Sequence, residues 1–177
     1  MQLVAGLPRD FALAVVVVLH LSSDAPKLLA DIINRSGPLP AVTVTHPEVL
    51  RPAHIYVAPP GHHLVVAGHR ALLSDGPAEH GHRPSINVLF RSVAVDYREN
   101  AVGVLLSGML DDGVAGLATI KGCGGITVVQ RPDEALYPDM PRNALAAGVA
   151  DHVAAATEIG TLLAALTESR IRPGNAI

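Results

Sequence analysis

A continuous apolar run near the start of the chain, residues 13–19, contains four consecutive valines and ends against His20. An unbroken β-branched run of this length is typical of a strand buried on both faces, as in parallel sheets covered by helices. The run is too short to cross a membrane, because a spanning helix needs about 20 apolar residues. It therefore favours an α/β fold in which His20 stands at the carboxyl end of a buried strand.

The rest of the 177-residue chain alternates between strand patterns and helix patterns. Further strands are predicted at 42–45, 54–58, 101–106 and 126–129, with a small hairpin that pairs 64–66 with 71–73. Helices are predicted at 24–33, 85–97, 143–147 and 158–168, and in the segment that ends with Lys121. This alternation predicts a doubly wound, mainly parallel sheet flanked by helices. We expect one domain over residues 1–169 and a polar tail at 170–177.

Composition argues against several classes of protein. The net charge is −3, the isoelectric point is about 6.3 and aromatic residues make up 3% of the chain. These values argue against nucleic-acid binding and against attraction to an anionic membrane. The hydrophobic content of 49% excludes a mainly disordered chain. The single cysteine, Cys123, allows neither an intramolecular disulfide nor a cysteine-based zinc site, and we expect it to be a packing residue.

Polar side chains follow two of the predicted strands. His20 comes after the valine-rich strand, and Asp111 and Asp112 come after the strand at 101–106. Because the carboxyl ends of parallel strands meet at one edge of a sheet, these groups can lie close together. A histidine beside a buried carboxylate is the base and the orienting group of a hydrolytic triad. The alternative is a structural histidine, with aspartates that cap the next helix.

Neither a nucleophile nor a metal site is evident from the residues. No Gly-x-Ser-x-Gly motif occurs in the chain, and Ser22, Ser23 and Ser107 lack the strand-turn-helix context of such a serine. The histidine pairs at 62–63 and at 80 and 82 have no obvious third ligand, so we expect no metal.

Short segments spread over most of the chain resemble the catalytic domain of the chemotaxis protein-glutamate methylesterases, the CheB family. Because the segments occur in the same order as in the family, together they support the resemblance far more strongly than any one segment alone. The segments are VVLH (17–20), LRP (50–52) with HIYVAP (54–59), HRPSINVLF (82–90), GVLLSGM (103–109), DG (112–113) with GL (116–117), IK (120–121) with GG (124–125), and MPR (140–142).

The resemblance implies a serine hydrolase that removes methyl esters from glutamyl side chains on the cytoplasmic helices of chemoreceptors. Many family members also deamidate receptor glutamines. They are cytoplasmic, and they use no metal or organic cofactor. Carried onto this sequence, the family's general base is His20 and its aspartate is Asp112. The backbone N–H of Met109 would help to form the oxyanion hole.

The sequence also departs from the family pattern. The family serine lies in a Gly-x-Ser-x-Gly-Gly turn that would precede Met1, so we expect the first strand and the nucleophile to be missing. Leu110 stands where glycine is common, Asn87 where aspartate is frequent, and Asp139 where glycine is frequent. The receiver domain of many members is also missing, so regulation by phosphorylation would need a separate protein.

A sheet without its first strand would expose two strand edges. A triad without its serine would retain little or no esterase activity. The alternative function is therefore a non-catalytic remnant that acts as a protein-binding module.

Overall fold

Residues 1–22 and 25–171, which are the residues that the computed structural model describes, contain nine strands and six α-helices. The strands are β1 (Val15–Val17), β2 (Ala41–Thr43), β3 (Glu48–Val49), β4 (Ile55–Val57), β5 (His63–Ala67), β6 (Arg70–Ser74), β7 (Val102–Leu105), β8 (Ile126–Gln130) and β9 (His152–Ala154). The helices are α1 (Gln2–Ala5), α2 (Leu29–Ser36), α3 (Ile86–Tyr97), α4 (Val114–Gly122), α5 (Asp139–Ala146) and α6 (Ala156–Ile171).

Six of these strands are paired in parallel. They form two three-stranded sheets, with the orders β1-β4-β2 and β7-β8-β9. The other three form an antiparallel sheet, β3-β6-β5, in which β5 and β6 are the predicted hairpin. The predicted α/β class, with mainly parallel strands and a small hairpin, is confirmed.

Both parallel sheets contribute to two shared hydrophobic cores. One core joins strand residues to side chains of α1, α2 and α6, such as Val4, Ile33 and Ile159. The other joins them to α3, α4 and α5, with Phe90 and Ile120 among its buried members. Helices therefore cover both faces of the strands, which is the doubly wound arrangement that the alternating pattern predicts.

Strand β1 is less buried than its valine run predicts. All three of its residues are partly exposed, because β1 lies at the edge of its sheet and pairs only with β4 among the described residues. The Val15 amide donates to His54 O at 2.9 Å, and Ala58 N donates to Val17 O at 2.9 Å. Strand geometry turns the backbone N–H and C=O of Val16 away from β4. As predicted, the strand packs against a core on each face, with Val15 and Val17 on one side and Val16 on the other, but its burial is only partial.

The boundaries of several elements differ from those predicted from the sequence. Helix α2 begins at Leu29 rather than at Asp24, and Asp24 lies outside the described residues. Helix α5 begins at Asp139, earlier than predicted, since the proline in its first turn is tolerated there. Strands β3 and β9, of two and three residues, were not predicted from the sequence. Helix α6 continues to Ile171, and the rest of the predicted tail, 172–177, lies outside the described residues.

Within the described ranges, none of the helices is long and apolar enough to cross a membrane.

Candidate active site

His20 and Asp112 meet although 92 residues separate them in sequence. His20 follows β1, and Asp112 lies in the loop between β7 and α4. The imidazole Nε2 is 2.7 Å from a carboxylate oxygen of Asp112, and the side chains are 25% and 2% exposed respectively. The pair therefore combines a histidine that solvent reaches with a carboxylate that is shielded from it.

The carboxylate of Asp112 is held at the start of α3. One oxygen accepts hydrogen bonds from the Ser85 hydroxyl at 2.9 Å and the Asn87 amide at 3.0 Å, and the other accepts from the Ile86 amide at 2.7 Å. These amides belong to the first turn of α3, where the helix dipole also favours an anion. The alternative that Asp112 caps the next helix is not observed, since α4 has Gly113 as its N-cap and no side-chain cap.

The pKa of Asp112 reflects two opposing effects. Burial raises it, but the hydrogen bonds from His20, Asn87, Ile86 and Ser85 outweigh burial and lower the pKa to about 2. Asp112 is therefore an anion at neutral pH. A fixed buried anion can orient an imidazole and stabilise its protonated form.

The hydrogen bond to Asp112 determines which imidazole nitrogen of His20 can act as a base. Because the carboxylate is an acceptor, Nε2 carries the proton in the neutral ring and Nδ1 keeps a free lone pair. No side chain or backbone group among the described residues forms a hydrogen bond with Nδ1. Nδ1 is thus the atom that can take a proton from a nucleophile.

A cavity of about 400 Å³ opens beside His20. Ser22, Gly61, His82 and Arg83 are among the residues that line it. Its volume lies within the range typical of sites for small ligands, about 300–1,000 Å³. The cavity is thus large enough to admit one substrate side chain to the histidine.

Neither Ser22 nor Ser107 forms a hydrogen bond with the base, His20, among the described residues. Ser22 lines the cavity but forms no hydrogen bond with His20 among the described residues. Ser107 lies against the backbone of Tyr137, whose amide donates to its hydroxyl at 2.9 Å. Ser23 lies outside the described residues. The described residues thus provide a base and an orienting carboxylate, without a serine that is hydrogen-bonded to the base.

The backbone on each side of Met109 is held by hydrogen bonds. Gly108 N donates to Tyr137 O, and Asn143 Nδ2 donates to Leu110 O. No described group accepts a hydrogen bond from the Met109 amide. This N–H is therefore available to a ligand.

The other candidate groups are engaged elsewhere. His62 forms a 2.6 Å contact with Asp75, and the ring of His63 lies between Pro77 O and Ser85 N. No group of three or more His, Cys, Asp or Glu residues that could hold a metal ion occurs among the described residues. Cys123 is exposed at the end of α4, so the expectation that it packs inside is wrong.

Two contacts of the site carried no clear sequence signal. Ser85 is both the N-cap of α3 and a donor to Asp112, and only its position before an amphipathic stripe hinted at the cap. The ring of His82 is stacked on the ring of His20, with centroids 4.0 Å apart. Periodicity does not report a contact between histidines in two different loops.

Leu110 has a left-handed backbone, with φ of +62°, and its side chain is 61% exposed. This conformation costs a residue with a side chain roughly 1–2 kcal/mol, and glycine adopts it freely. We expect Leu110→Gly to raise the free energy of unfolding by about 0.5–1 kcal/mol, since the greater entropy of unfolded glycine offsets part of the gain. Urea denaturation measures the difference.

Leu136→Gly is the matched control for this prediction. Leu136 is also an exposed loop leucine, but its φ is negative, so glycine relieves no strain there. We expect Leu136→Gly to lower the free energy of unfolding by about 0.5 kcal/mol. If Leu110→Gly and Leu136→Gly lower the free energy of unfolding equally, the backbone of Leu110 is not strained.

Comparison with known proteins gives a consistent result. A protein-family model described as CheB methylesterase matches residues 1–163. A Syntrophus aciditrophicus protein named protein-glutamate methylesterase/protein-glutamine glutaminase 1 is 37% identical over 169 residues, covering 95% of this chain and 48% of that protein. An Anaeromyxobacter dehalogenans protein named protein-glutamate methylesterase/protein-glutamine glutaminase 3 is 40% identical over 165 residues, covering 92% and 48%. The chain spans about half the length of these curated relatives.

A solved structure matches the same region. The structure is similar to the crystal structure of the Thermotoga maritima CheB methylesterase catalytic domain, with a TM-score of 0.88 and 25% sequence identity. The match covers 93% of this chain and 89% of that one.

Proposed function

Because this chain belongs to the CheB methylesterase family, we propose that it supplies the proton-transfer groups of a protein-glutamate methylesterase. The substrate is a glutamyl methyl ester on the cytoplasmic helices of a chemoreceptor, and the reaction is its hydrolysis to glutamate and methanol. The relatives' names also include protein-glutamine glutaminase, so deamidation of glutamine at the same site is part of the proposal.

The observation that carries the proposal is the His20–Asp112 pair. A buried anionic carboxylate holds Nε2 of the imidazole at 2.7 Å, and Nδ1, which has no hydrogen-bond partner among the described residues, lies beside a cavity. This is the arrangement that general-base catalysis of acyl transfer requires.

The reaction proceeds in two stages. A serine hydroxyl attacks the ester carbonyl while Nδ1 of His20 takes its proton, and Asp112 stabilises the imidazolium. The Met109 amide donates a hydrogen bond to the oxyanion. His20 then gives the proton to the departing methoxide, so methanol leaves and an acyl-serine remains. Water attacks the acyl group in the same manner, releasing the glutamate carboxylate and the serine.

We place the nucleophilic serine outside the described residues. Among the described serines, Ser85 is bonded to Asp112 and Ser107 to the Tyr137 backbone, and Ser22 is not bonded to His20. The edge of β1, which is unpaired among the described residues, supports this placement, because an added strand could pair there and end beside His20.

We propose that residues 1–169 carry out the catalysis in the cytoplasm. The two partners are the chemoreceptor and a separate receiver domain.

Exposed apolar side chains on the loops around Asp112 support contact with an amphipathic receptor helix. They are Met109, Leu110, Leu136 and Tyr137.

The test measures methanol release and serine labelling together. The protein, expressed in its own cell, is incubated with methyl-esterified chemoreceptor fragments, and a fluorophosphonate probe labels its activated serine. We expect methanol release that the probe abolishes, with the label on a serine of a Gly-x-Ser-x-Gly turn. Matched fragments without methyl esters are the control and should release no methanol.

Two results contradict the proposal. Labelling of Ser22 or Ser107 would move the nucleophile into the described residues. If the protein binds the receptor fragment but releases no methanol and is not labelled, the result favours the protein-binding module instead.

A further inference from the structure

The stacked pair of histidines suggests a role that the proton-transfer mechanism does not use. The rings of His20 and His82 are parallel within 2°, with centroids 4.0 Å apart. Among the described residues, His20 has a single hydrogen bond, from Nε2 to Asp112. One hydrogen bond fixes one atom of an imidazole but lets the ring turn about that bond. A flat surface against the ring face removes this freedom.

We propose that His82 is a positioning residue: its ring face holds the plane of His20, so that Nδ1 points into the cavity while Nε2 remains on Asp112. This inference rests on the proposed esterase function, in which Nδ1 is the base.

The backbone of His82 is itself held firmly. Residues Glu79 and His82 exchange two backbone hydrogen bonds, of 3.1 and 2.9 Å. The carboxylate of Glu79 forms a two-point ion pair with Arg91, which lies on α3. The first turn of α3 also binds Asp112. Asp112 and His82 are therefore both attached to the same helix.

His82 acts through the face of its ring. No described residue forms a hydrogen bond with either of its ring nitrogens. Burial lowers the pKa of His82, and the charge of protonated His20 lowers it further, so its ring stays neutral. A neutral ring carries no charge that would repel His20 when that ring takes a proton.

The test compares three substitutions in the protein expressed in its own cell. His82→Phe keeps a flat ring without nitrogens, His82→Leu removes the ring, and His82→Gln keeps polar atoms without a ring. We expect His82→Leu and His82→Gln to lower kcat for ester hydrolysis by about 10–100-fold with KM changed less than about twofold. His82→Phe should retain kcat within about threefold of the unsubstituted protein. His46→Leu is the control, because His46 lies outside the cavity lining, and it should change neither constant.

Proton NMR provides a readout that does not depend on esterase activity. The Nε2 proton of His20, bonded to Asp112, should give a downfield resonance that exchanges slowly with water. We expect this resonance in the unsubstituted protein and in His82→Phe, and its loss or faster exchange in His82→Leu. If the protein proves to have no esterase activity, this experiment still tests the contact.

Three results would overturn the inference. If His82→Phe lowers kcat as much as His82→Leu does, the ring face alone is not sufficient to position His20. Recovery by His82→Gln would show that a nitrogen of His82 touches the substrate. An unchanged resonance and kcat in His82→Leu would show that the stack positions nothing.

Discussion

Asp112→Asn is expected to lower kcat for ester hydrolysis by about 10⁴-fold, the size of effect seen when a triad aspartate becomes an amide. The carboxylate accepts the proton of Nε2, so Nδ1 is left as the base. An amide can instead donate to Nε2, which moves the ring proton to Nδ1 and blocks proton removal from the serine. KM should change little, because Asp112 is 2% exposed and lies behind the histidine. Steady-state kinetics on a methyl-esterified receptor fragment measure both constants.

Asp111→Asn is the matched control, since it makes the same chemical change one residue away. Asp111 is 62% exposed and lies 3.9 Å from His80. We expect less than about a threefold change in kcat, as for a screened surface charge. A melting curve for Asp112→Asn distinguishes loss of catalysis from loss of fold. A larger effect at Asp111 would reverse the assignment of the two aspartates.

Asn87→Ala is expected to lower the free energy of unfolding by about 3 kcal/mol. The side-chain oxygen of Asn87 accepts hydrogen bonds from Gly113 N at 3.0 Å and Gly116 N at 2.8 Å, and the residue is 1% exposed. Alanine leaves both buried amides without a partner, at about 1–3 kcal/mol each. For a chain of this size the melting temperature should fall by about 6–12 °C. Calorimetry or urea denaturation measures the loss.

The control removes an asparagine whose bond is exposed. Asn143 donates to Leu110 O at the surface, so Asn143→Ala should cost less than about 1 kcal/mol. Similar losses at Asn87 and Asn143 would show that the two buried amides find other partners.

Both predictions depend on the junction between the starts of α3 and α4. Backbone amides of α3 hold Asp112, and an asparagine of α3 holds the first turn of α4. The C-terminal end of the loop that carries Asp112 is therefore fixed by one helix. Such rigid support is what a group needs to keep an imidazole aligned during proton transfer.

Much of the architecture was already determined by the sequence. The valine run, the Ile86–Tyr97 stripe and the hairpin are strong local patterns, and each has its predicted type in the structure. Side chains on the buried face of a helix or strand recur at a fixed spacing along the chain, so burial can be predicted from the spacing of apolar residues. The family resemblance added the positions of His20, Asp112 and Met109, which periodicity alone left open.

The tertiary structure alone decided how these positions meet. Three contacts join residues that are far apart in sequence: the hydrogen bond from His20 to Asp112, the hydrogen bonds from α3 to Asp112, and the stacking of His82 on His20. The first of these leaves Nδ1 as the nitrogen that can accept a proton. The partial exposure of β1 depends on its place in the strand order, and the left-handed backbone of Leu110 depends on the loop around it. Local patterns report how a segment is buried. Strand order and loop packing set which distant groups come within bonding distance, and no single segment encodes them.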